Sequence, residues 1–442
     1  MKTYKPYIIT LLILVMAGGG WFFFNTCGEL GKPAIKLDQE ISFIGLQKTV
    51  NITFTDQKRG LRSTSVTIIQ DNRTQILSAT NHPDTDVKNE TSTIHIDPIA
   101  LKLHNGPAVV NITATDHAIW KNQALTSRQI TIDLTPPQVY LLNPVNHINP
   151  GGTCVIAYRT SKPVVMTGVM VENNLFTGYP ASISGKPAFI SYFAVPVNAS
   201  RGSANIKVTA RDQAGNETSI NLPYLLLAKK FRSDKMPLSD NFLQQKMPEF
   251  QTQISSLQGK SLVEVFMYVN GLLREDNDKA IREACRKSSP KQLWQDTFVR
   301  MKNAAPMAQF GDKRSYIYQG KPVGESIHLG VDLASTAHAF VEAANNGIVV
   351  FVGPLGIYGN TVIIDHGLGL FSLYGHLDVV NTKQGQEVKK GDSIGQSGTS
   401  GLAGGDHLHF SLLVGGQFVN PAEWWDPHWI ADNVTKKLDV TF

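Results

Sequence analysis

Three short polar motifs in the last third of this 442-residue chain constrain its fold more than any other feature. They read His328-Leu-Gly-Val-Asp332, Tyr374-Gly-His376-Leu and His407-Leu-His409, with glycine-rich sequence between them. The last motif begins an alternating apolar run typical of a strand, on which residues two apart share a face. Residues four apart, as in the first motif, share a face in a strand or a helix. The motifs therefore predict a site where five side chains from separate segments meet.

The residue types in these motifs are those of a catalytic metal centre. Two histidines and one carboxylate form a familiar zinc-binding set that leaves a fourth position for water. Hydrolysis at such a centre also needs a base and a donor to the developing oxyanion, and histidine suits both roles. Three ligands and two catalysts are therefore expected, with Gly330 removing a side chain where the ligands crowd. Spacing alone does not decide which histidine does which.

The segment from about Phe310 to Trp425 resembles the lysostaphin/LytM-type zinc metallopeptidases, which carry His-x-Gly-x-Asp, Gly-His-Leu and His-x-His in this order. No element of the pattern is missing. The resemblance implies one Zn²⁺ ion per chain, with the ligands His328, Asp332 and His409. It also implies two catalytic histidines, His376 and His407, either of which takes the proton while the other stabilises the oxyanion. The expected reaction is attack by zinc-bound water on peptide bonds in peptidoglycan stems or cross-links.

The residues around the motifs predict a compact all-β domain over residues 305–430, because short strand-like runs alternate with glycine turns. The run from Gly385 to Gly395 resembles the hammerhead turn of biotinyl and lipoyl domains, which the lysostaphin-type fold, a duplicated hybrid motif, also contains. A carrier domain is disfavoured because no modifiable lysine lies in the usual hairpin. The sugar-phosphotransferase enzyme IIA component can show the first motif, but it has no reason for His407-Leu-His409.

The N-terminus predicts the compartment. Residues 6–25 contain no charge, and about 20 apolar residues can span a bilayer as a helix. Lysines before this run predict a cytoplasmic stub at residues 1–5, a single-pass anchor in the bacterial inner membrane, and the bulk of the chain in the periplasm or cell-wall space. A cleaved signal peptide is the alternative.

The remaining chain is predicted to form several further segments. Residues 34–135 and 136–228 show short alternating runs and a weak repeat, which favour two immunoglobulin-like β-sandwiches that serve as a spacer or dock an envelope protein partner. Residues 229–304 show helical spacing, including a helix starting at Pro290, and predict a helical connector that either packs beside the enzyme or covers its site. Residues 431–442 are expected to be a tail.

Composition excludes some functions and leaves one alternative. The net charge is only +5, so no nucleic-acid partner is expected, and three distant cysteines imply no disulfide framework. The alternative function is an envelope binding module that recruits or activates another cell-wall hydrolase, although a pure binder would not need an intact ligand set. Tyr374 is either a donor to the substrate or a packing residue. Three histidines outside the motifs are expected at the surface or behind the ligands: His338, His366 and His428.

Overall fold

The computed structural model describes residues 5–27, 31–143, 146–200 and 205–439. Strands dominate the described chain, so the predicted mainly-β fold class is confirmed. The chain divides into two compact units. The first comprises residues 1–137 with 211–217, and the second comprises residues 138–210 with 218–442.

The first unit begins with helix α1 (Lys5–Cys27). Among the residues that the structure describes, no helix combines the length and the apolar character needed to cross a membrane. The transmembrane helix predicted for residues 6–25 is therefore not supported. Residues 1–4 of the predicted cytoplasmic stub lie outside the described residues.

Two sheets form the rest of the first unit. Their strands are β1 (Ala34–Leu37), β2 (Phe43–Ile44), β3 (Lys48–Thr55), β4 (Leu61–Gln70), β5 (Arg73–Asn81), β6 (Asn89–Ile96), β7 (Gly106–Asp116) and β8 (Gln123–Ile132). One sheet has the order β1-β3-β6 and the other β2-β8-β7-β4-β5. Alternate residues of β3, β4 and β7 are buried in one apolar cluster shared by both sheets. The immunoglobulin-like assignment of this segment stays a prediction.

The second unit begins with two four-stranded sheets and one short strand pair. The strands are β9 (Val139–Leu141), β10 (His147–Ile148), β11 (Thr153–Thr160), β12 (Met166–Val171), β13 (Asn174–Thr177), β14 (Tyr179–Ile183), β15 (Lys186–Ala194), β16 (Ile206–Arg211), β17 (Glu217–Asn221) and β18 (Leu225–Leu226). The sheet orders are β14-β15-β11-β9 and β13-β12-β16-β17, while β10 pairs with β18.

Helices form in the middle of the predicted helical connector, residues 229–304, whereas residues Ser233–Pro237 form a strand. The helices are α2 (Asp240–Gln253), α3 (Leu262–Tyr268) and α4 (Arg274–Ala284), with a π-helical turn (Val269–Leu273) between the last two. The Ser239 hydroxyl accepts from the Phe242 N–H at the start of α2, and Ser261 and Glu264 form a capping box on α3. These polar caps satisfy N–H groups that a helix start leaves free.

The helix predicted from Pro290 is wrong, because residues 286–304 are irregular. Their backbone bonds to other parts of the unit: the Leu293 N–H donates to the carbonyl of His366, and the Phe298 N–H donates to that of Trp424. The rings of Trp294 and Phe298 lie 5.3 and 5.5 Å from that of Trp424. Burial of these aromatic side chains therefore overrides the local helical spacing.

The last part of the unit holds the three motifs. Its strands are β19 (Ser233–Pro237), β20 (Ala305–Ala308), β21 (Lys313–Tyr318), β22 (Lys321–Ile327), β23 (Val331–Ala334), β24 (Phe340–Glu342), β25 (Gly347–Pro354), β26 (Asn360–Asp365), β27 (Leu370–Val380), β28 (Glu387–Val388), β29 (Ser393–Ser397), β30 (Leu408–Val414) and β31 (Gln417–Val419). The main sheet has the order β20-β23-β30-β27-β26-β25-β28. Short helices follow: α5 (Pro421–Trp425), α6 (Pro427–Ile430) and α7 (Lys436–Leu438).

One apolar cluster runs through the second unit. It joins residues of the upstream sheets, such as Tyr192, to helix residues, such as Phe266, and to motif-bearing strands, such as Leu412. The predicted boundaries at 228 and 304 therefore do not separate independent apolar clusters, although the functional meaning of these segments stays a prediction.

Glu423 is a buried carboxyl group in α5. It is 6% exposed and accepts hydrogen bonds from the Thr153 N–H (2.8 Å) and from Asn149 Nδ2 (3.0 Å). Burial favours the neutral form and outweighs these hydrogen bonds, so it raises the pKa of Glu423 to about 7. The folded chain therefore binds this proton more tightly than the unfolded chain does.

This difference makes the free energy of unfolding depend on pH. Between the ordinary pKa of 4.5 and a pKa of about 7, the native state keeps a proton that the unfolded chain releases, so stability falls as pH rises. We expect Glu423 to cost about 3 kcal/mol between about pH 4.5 and about pH 8. Urea unfolding across that range measures the loss, and Glu423→Gln should flatten the profile by the same amount. Parallel profiles for the two proteins would contradict this expectation.

Candidate metal centre

Strand pairing brings the first and third motifs together. Asp332 on β23 lies directly opposite His409 on β30, and His409 lies opposite Gly375 on β27. His328 immediately follows β22, and His407 immediately precedes β30. The predicted metal-binding and catalytic residues therefore lie on three adjacent strands of the main sheet, at the residue before one of them, and at the end of β22 from the sheet β19-β21-β22.

Three predicted ligands converge on one point. His328 Nε2 lies 2.9 Å from Asp332 Oδ1, His409 Nδ1 lies 2.9 Å from the same oxygen, and the two ring nitrogens are 3.1 Å apart. Among the described residues, this is the one group of three metal-ligating side chains whose donor atoms cluster in this way. The structure thus brings together the predicted set.

Hydrogen bonds on the far side of each ring orient the two histidines. His328 Nδ1 lies 3.0 Å from the carbonyl oxygen of Gln309, which only accepts, so this nitrogen carries the proton. His409 Nε2 lies 2.9 Å from Ser411 Oγ, whose hydroxyl donates to the Leu329 carbonyl and must therefore accept from the ring. His328 Nε2 and His409 Nδ1 consequently face inward with their lone pairs.

This arrangement fits a bound cation. Two inward ring lone pairs and a carboxylate oxygen lie about 3 Å apart with no proton between them, which is a repulsive arrangement unless a positive ion joins them. Burial raises the pKa of Asp332, but the neighbouring rings of His328, His407 and His409 outweigh it and hold this pKa well below its usual range. Burial lowers the pKa of His409 to about 4. Both residues are therefore in the protonation state that metal binding requires.

Gly330 leaves room for the ligands, as expected from the first motif. A Cβ atom at this position would lie 2.5 Å from His409 Nε2 and 2.6 Å from Ser411 Oγ. Any larger residue would push the ring of His409 away from its outer hydrogen-bond partner.

The two predicted catalytic histidines lie beside the ligands. The ring centroids of His376 and His407 are 4.8 Å apart, and His407 Nε2 lies 3.5 Å from Asp332 Oδ1. His376 Nδ1 donates to the Ser400 carbonyl (2.8 Å), and His407 Nδ1 donates to the Gly405 carbonyl (2.8 Å). Each ring therefore keeps a free Nε2 lone pair for exchange of a proton.

The environments of these two histidines differ. Burial, with the charges of neighbouring histidines, holds the pKa of His376 well below its usual value. Burial also opposes charge on His407, but the hydrogen bond and negative charge of Asp332 outweigh it and raise the pKa of His407. His376 also has a left-handed backbone (φ 63°), a strained conformation that packed surroundings must maintain.

Three polar side chains that line the cleft were not predicted as part of the site. The cleft has a volume of about 140 Å³, and Arg274, Arg314 and Tyr358 line it beside the motif histidines. Arg314 Nη2 lies 3.4 Å from Asp332 Oδ2, and the ring of Tyr358 lies 5.3 Å from that of His409. No motif marks these residues, because tertiary packing alone brings them to the site.

Other candidate residues lie elsewhere. Tyr374 is 1% exposed, and its hydroxyl accepts from the Ala344 N–H (2.7 Å), so it packs the core and does not reach a substrate. His366 is wholly buried between the Asn346 carbonyl and Ser372 Oγ, so it is neither a surface residue nor a partner of the ligands. The expected surface positions of two histidines are observed: His338 and His428.

The chain is similar to known proteins over this site. Residues 326–421 match the model of a family described as Peptidase family M23. The DD-carboxypeptidase/endopeptidase Mpg of Neisseria meningitidis serogroup B is 40% identical over 95 residues, which are 22% of this chain and 22% of that protein. The peptidoglycan DD-endopeptidase ShyA of Vibrio cholerae serotype O1 is 37% identical over 115 residues, 26% of each chain. The family resemblance carried by the motifs is thereby confirmed.

Solved structures are similar as well. The catalytic domain of lysostaphin from Staphylococcus simulans shares 26% identity with a TM-score of 0.25, covering 30% of this chain and 98% of that one. A zinc-containing peptidase from Vibrio cholerae shares 12% identity with a TM-score of 0.27, covering 89% of this chain and 86% of that one. The matched segment spans only about a quarter of the length of the curated relatives.

Proposed function

We propose that this chain, which carries a peptidase M23 domain, is a zinc-dependent endopeptidase that hydrolyses peptide bonds in bacterial peptidoglycan. The observation that carries the proposal is the convergence of His328 Nε2, His409 Nδ1 and Asp332 Oδ1 with their lone pairs inward. Such a cluster of acceptors is stabilised by a cation, and two imidazoles with one carboxylate suit zinc.

Each side chain of the centre has a proposed role. His328, Asp332 and His409 would hold the zinc ion, while the Gln309 carbonyl and Ser411 Oγ keep both rings in the binding tautomer. When bound there, zinc would supply a Lewis acid that lowers the pKa of water and polarises the scissile carbonyl.

The proton is handled by the second pair of histidines. His376 and His407 each donate Nδ1–H to a backbone carbonyl, which leaves Nε2 able to accept a proton from the attacking water. One of the two takes that proton from the water and later returns it to the leaving amine, while the other, in its protonated form, donates a hydrogen bond to the oxyanion. Fixed rings lower the entropic cost of each transfer.

The proposed substrate follows from the names of the similar proteins. The Vibrio relative is named for peptidoglycan DD-endopeptidase activity, and the Neisseria relative for DD-carboxypeptidase and endopeptidase activity. We propose peptide cross-links as the bonds cleaved here. Peptidoglycan lies outside the cytoplasm, so a location in the periplasm or cell-wall space is part of this proposal. Attachment to the inner membrane and an envelope protein partner stay predictions from the sequence.

Chelation of the metal tests this function on the full chain. Incubation with purified peptidoglycan should release peptides with new amino termini, identified by mass spectrometry. A chelator should abolish the release and added zinc should restore it, because the ligand set holds the metal on which water activation depends. The full chain is needed because truncation at residue 305 would remove Trp294 and Phe298 from the core around Trp424.

Two results would contradict the proposal. Absence of new amino termini with folded, zinc-loaded protein would exclude the hydrolase. Stimulation of another purified wall hydrolase by that same inactive protein would favour the binding-module alternative. A murein hydrolase activator of Salmonella dublin, NlpD, is 35% identical over 101 residues, so this second assay belongs in the design.

A further inference from the structure

Two guanidinium groups line the cleft at the metal centre. Arg314 belongs to β21, close to the first motif, whereas Arg274 begins α4, far from the motifs in sequence. The proposed hydrolysis gives neither arginine a role in proton transfer, because an arginine remains charged at any ordinary pH. Their position beside the reacting groups therefore requires a separate explanation.

Arg274 is fixed in place by its neighbours. Its Nε donates to Asn270 Oδ1 (3.0 Å), and Asn270 Nδ2 donates to the Glu325 carbonyl of β22 (3.1 Å). Within the described residues, this is the one hydrogen bond of the Arg274 side chain, so the two terminal nitrogens remain for another acceptor. Asp278, one turn along α4, contributes a negative charge nearby without forming an ion pair with it.

Arg314 is only loosely bound to the protein. Its single close contact among described acidic residues is Nη2 to Asp332 Oδ2, at 3.4 Å. That distance is long for a charge-assisted hydrogen bond, which is ordinarily below 3 Å. The Arg314 side chain is 21% exposed, so it is held in the cleft yet accessible to a ligand.

The charges of the cleft are unbalanced. Among the residues that line the cleft, one carboxylate, Asp332, faces two guanidinium groups, and a bound divalent cation would increase the positive excess. A concave site with this excess attracts anions, and the planar donor fork of arginine matches a carboxylate in particular.

We propose that Arg274 and Arg314 bind a free carboxylate of the substrate next to the scissile bond, so that the enzyme selects cross-linked peptides bearing an acidic group there. This inference rests on the proposed function and deepens it. The two arginines position the peptide, while the histidines perform the chemistry. Because Arg274 comes from the helical connector, that connector supplies part of the substrate site.

Two forms of the same peptide, one with free carboxyl groups and one with amides in their place, test the inference. Cross-linked peptide dimers released from peptidoglycan would be compared with the same dimers after conversion of their carboxyl groups to primary amides. Dissociation constants would be measured by calorimetry on the full chain carrying His407→Ala, and kcat and KM on the unmodified protein. Amidation should weaken binding roughly ten- to hundredfold, the range expected for a charge-assisted hydrogen-bonded pair.

Variants of the two arginines test whether they cause the preference for the acidic dimer over the amidated dimer. Arg274→Met and Arg314→Met should each reduce the discrimination and raise KM more than they lower kcat, while the double variant should remove the discrimination. Arg274→Lys should retain part of it, because charge remains but the planar fork is lost. Arg286→Met is the matched control: this arginine is 65% exposed and lies outside the cleft. Thermal unfolding would verify that each variant folds.

The binding and turnover measurements distinguish failure of the carboxylate site from failure of the endopeptidase activity. Equal binding of acid and amide dimers by the His407→Ala protein overturns the carboxylate site, whatever the activity. Hydrolysis of both dimers at equal kcat/KM overturns it too, while leaving the endopeptidase intact. Discriminating binding without hydrolysis by the zinc-loaded protein supports the arginine site and defeats the endopeptidase. Unchanged discrimination in the double variant overturns the inference as well, because other residues then recognise the acid.

Discussion

Replacing His407 with alanine should lower kcat by roughly 10²- to 10⁴-fold, the usual contribution of a general acid or base, while one zinc ion per chain stays bound. His407 Nε2 faces Asp332 Oδ1 at 3.5 Å, outside the closer set formed by the three proposed ligands at 2.9 to 3.1 Å. Loss of the ring therefore removes a proton carrier and leaves the ligand set intact. Peptidoglycan turnover and zinc content after dialysis measure the two effects separately.

His338→Ala is the matched control for this substitution. Its ring nitrogen lies 3.3 Å from Asp378 and 3.8 Å from Asp406, its side chain is 58% exposed, and it is not one of the clustered ligands. Turnover and zinc content should both remain close to those of the unmodified protein. If His407→Ala instead loses its zinc, His407 is a ligand and the proposed division of roles fails. His376→Ala should resemble His407→Ala, and the double variant should lose little more, because the two act in one reaction.

The residues of the metal centre can be predicted from sequence because each motif is local. His407 and His409 share a face through the period of two on a strand, and the same period places Ser411 beside His409. Ser411 could therefore have been found by extending that alternation. The family resemblance implied that Asp332 and His409 share one metal ion, but neither it nor local spacing predicted that their strands pair.

The position of Arg274 in the cleft could not be predicted from the sequence. This arginine lies on a helix whose spacing is correctly predicted, but nothing in that spacing indicates which face meets the cleft. Packing of α3 and the following π-helical turn against β22 decides this, and the contact joins residues distant in sequence. Long-range packing likewise draws Trp294 and Phe298 toward Trp424 and prevents the helix predicted from Pro290. Local pattern thus predicted element types well and tertiary contacts poorly.

The substitution expected to remove the metal is His409→Ala. His409 contributes one of the three convergent atoms, and its loss leaves His328 and Asp332 as an incomplete set. Ser411→Ala should remove only the acceptor that fixes the tautomer of His409, which ordinarily costs about 10- to 100-fold in metal affinity. We expect His409→Ala to exceed that loss, to purify without zinc, and to show no peptidoglycan hydrolysis above background.

Competition with a chromogenic chelator ranks the affinities, and circular dichroism at matched concentrations checks that both variants fold. The order should be unmodified protein, then Ser411→Ala, then His409→Ala, because the outer hydrogen bond orients a ligand whereas the ring is the ligand. Excess zinc should restore turnover to Ser411→Ala, since its ligand set is complete. His409→Ala should stay inactive at every zinc concentration. Full zinc occupancy in folded His409→Ala would remove this histidine from the ligand set and require another side chain in its place.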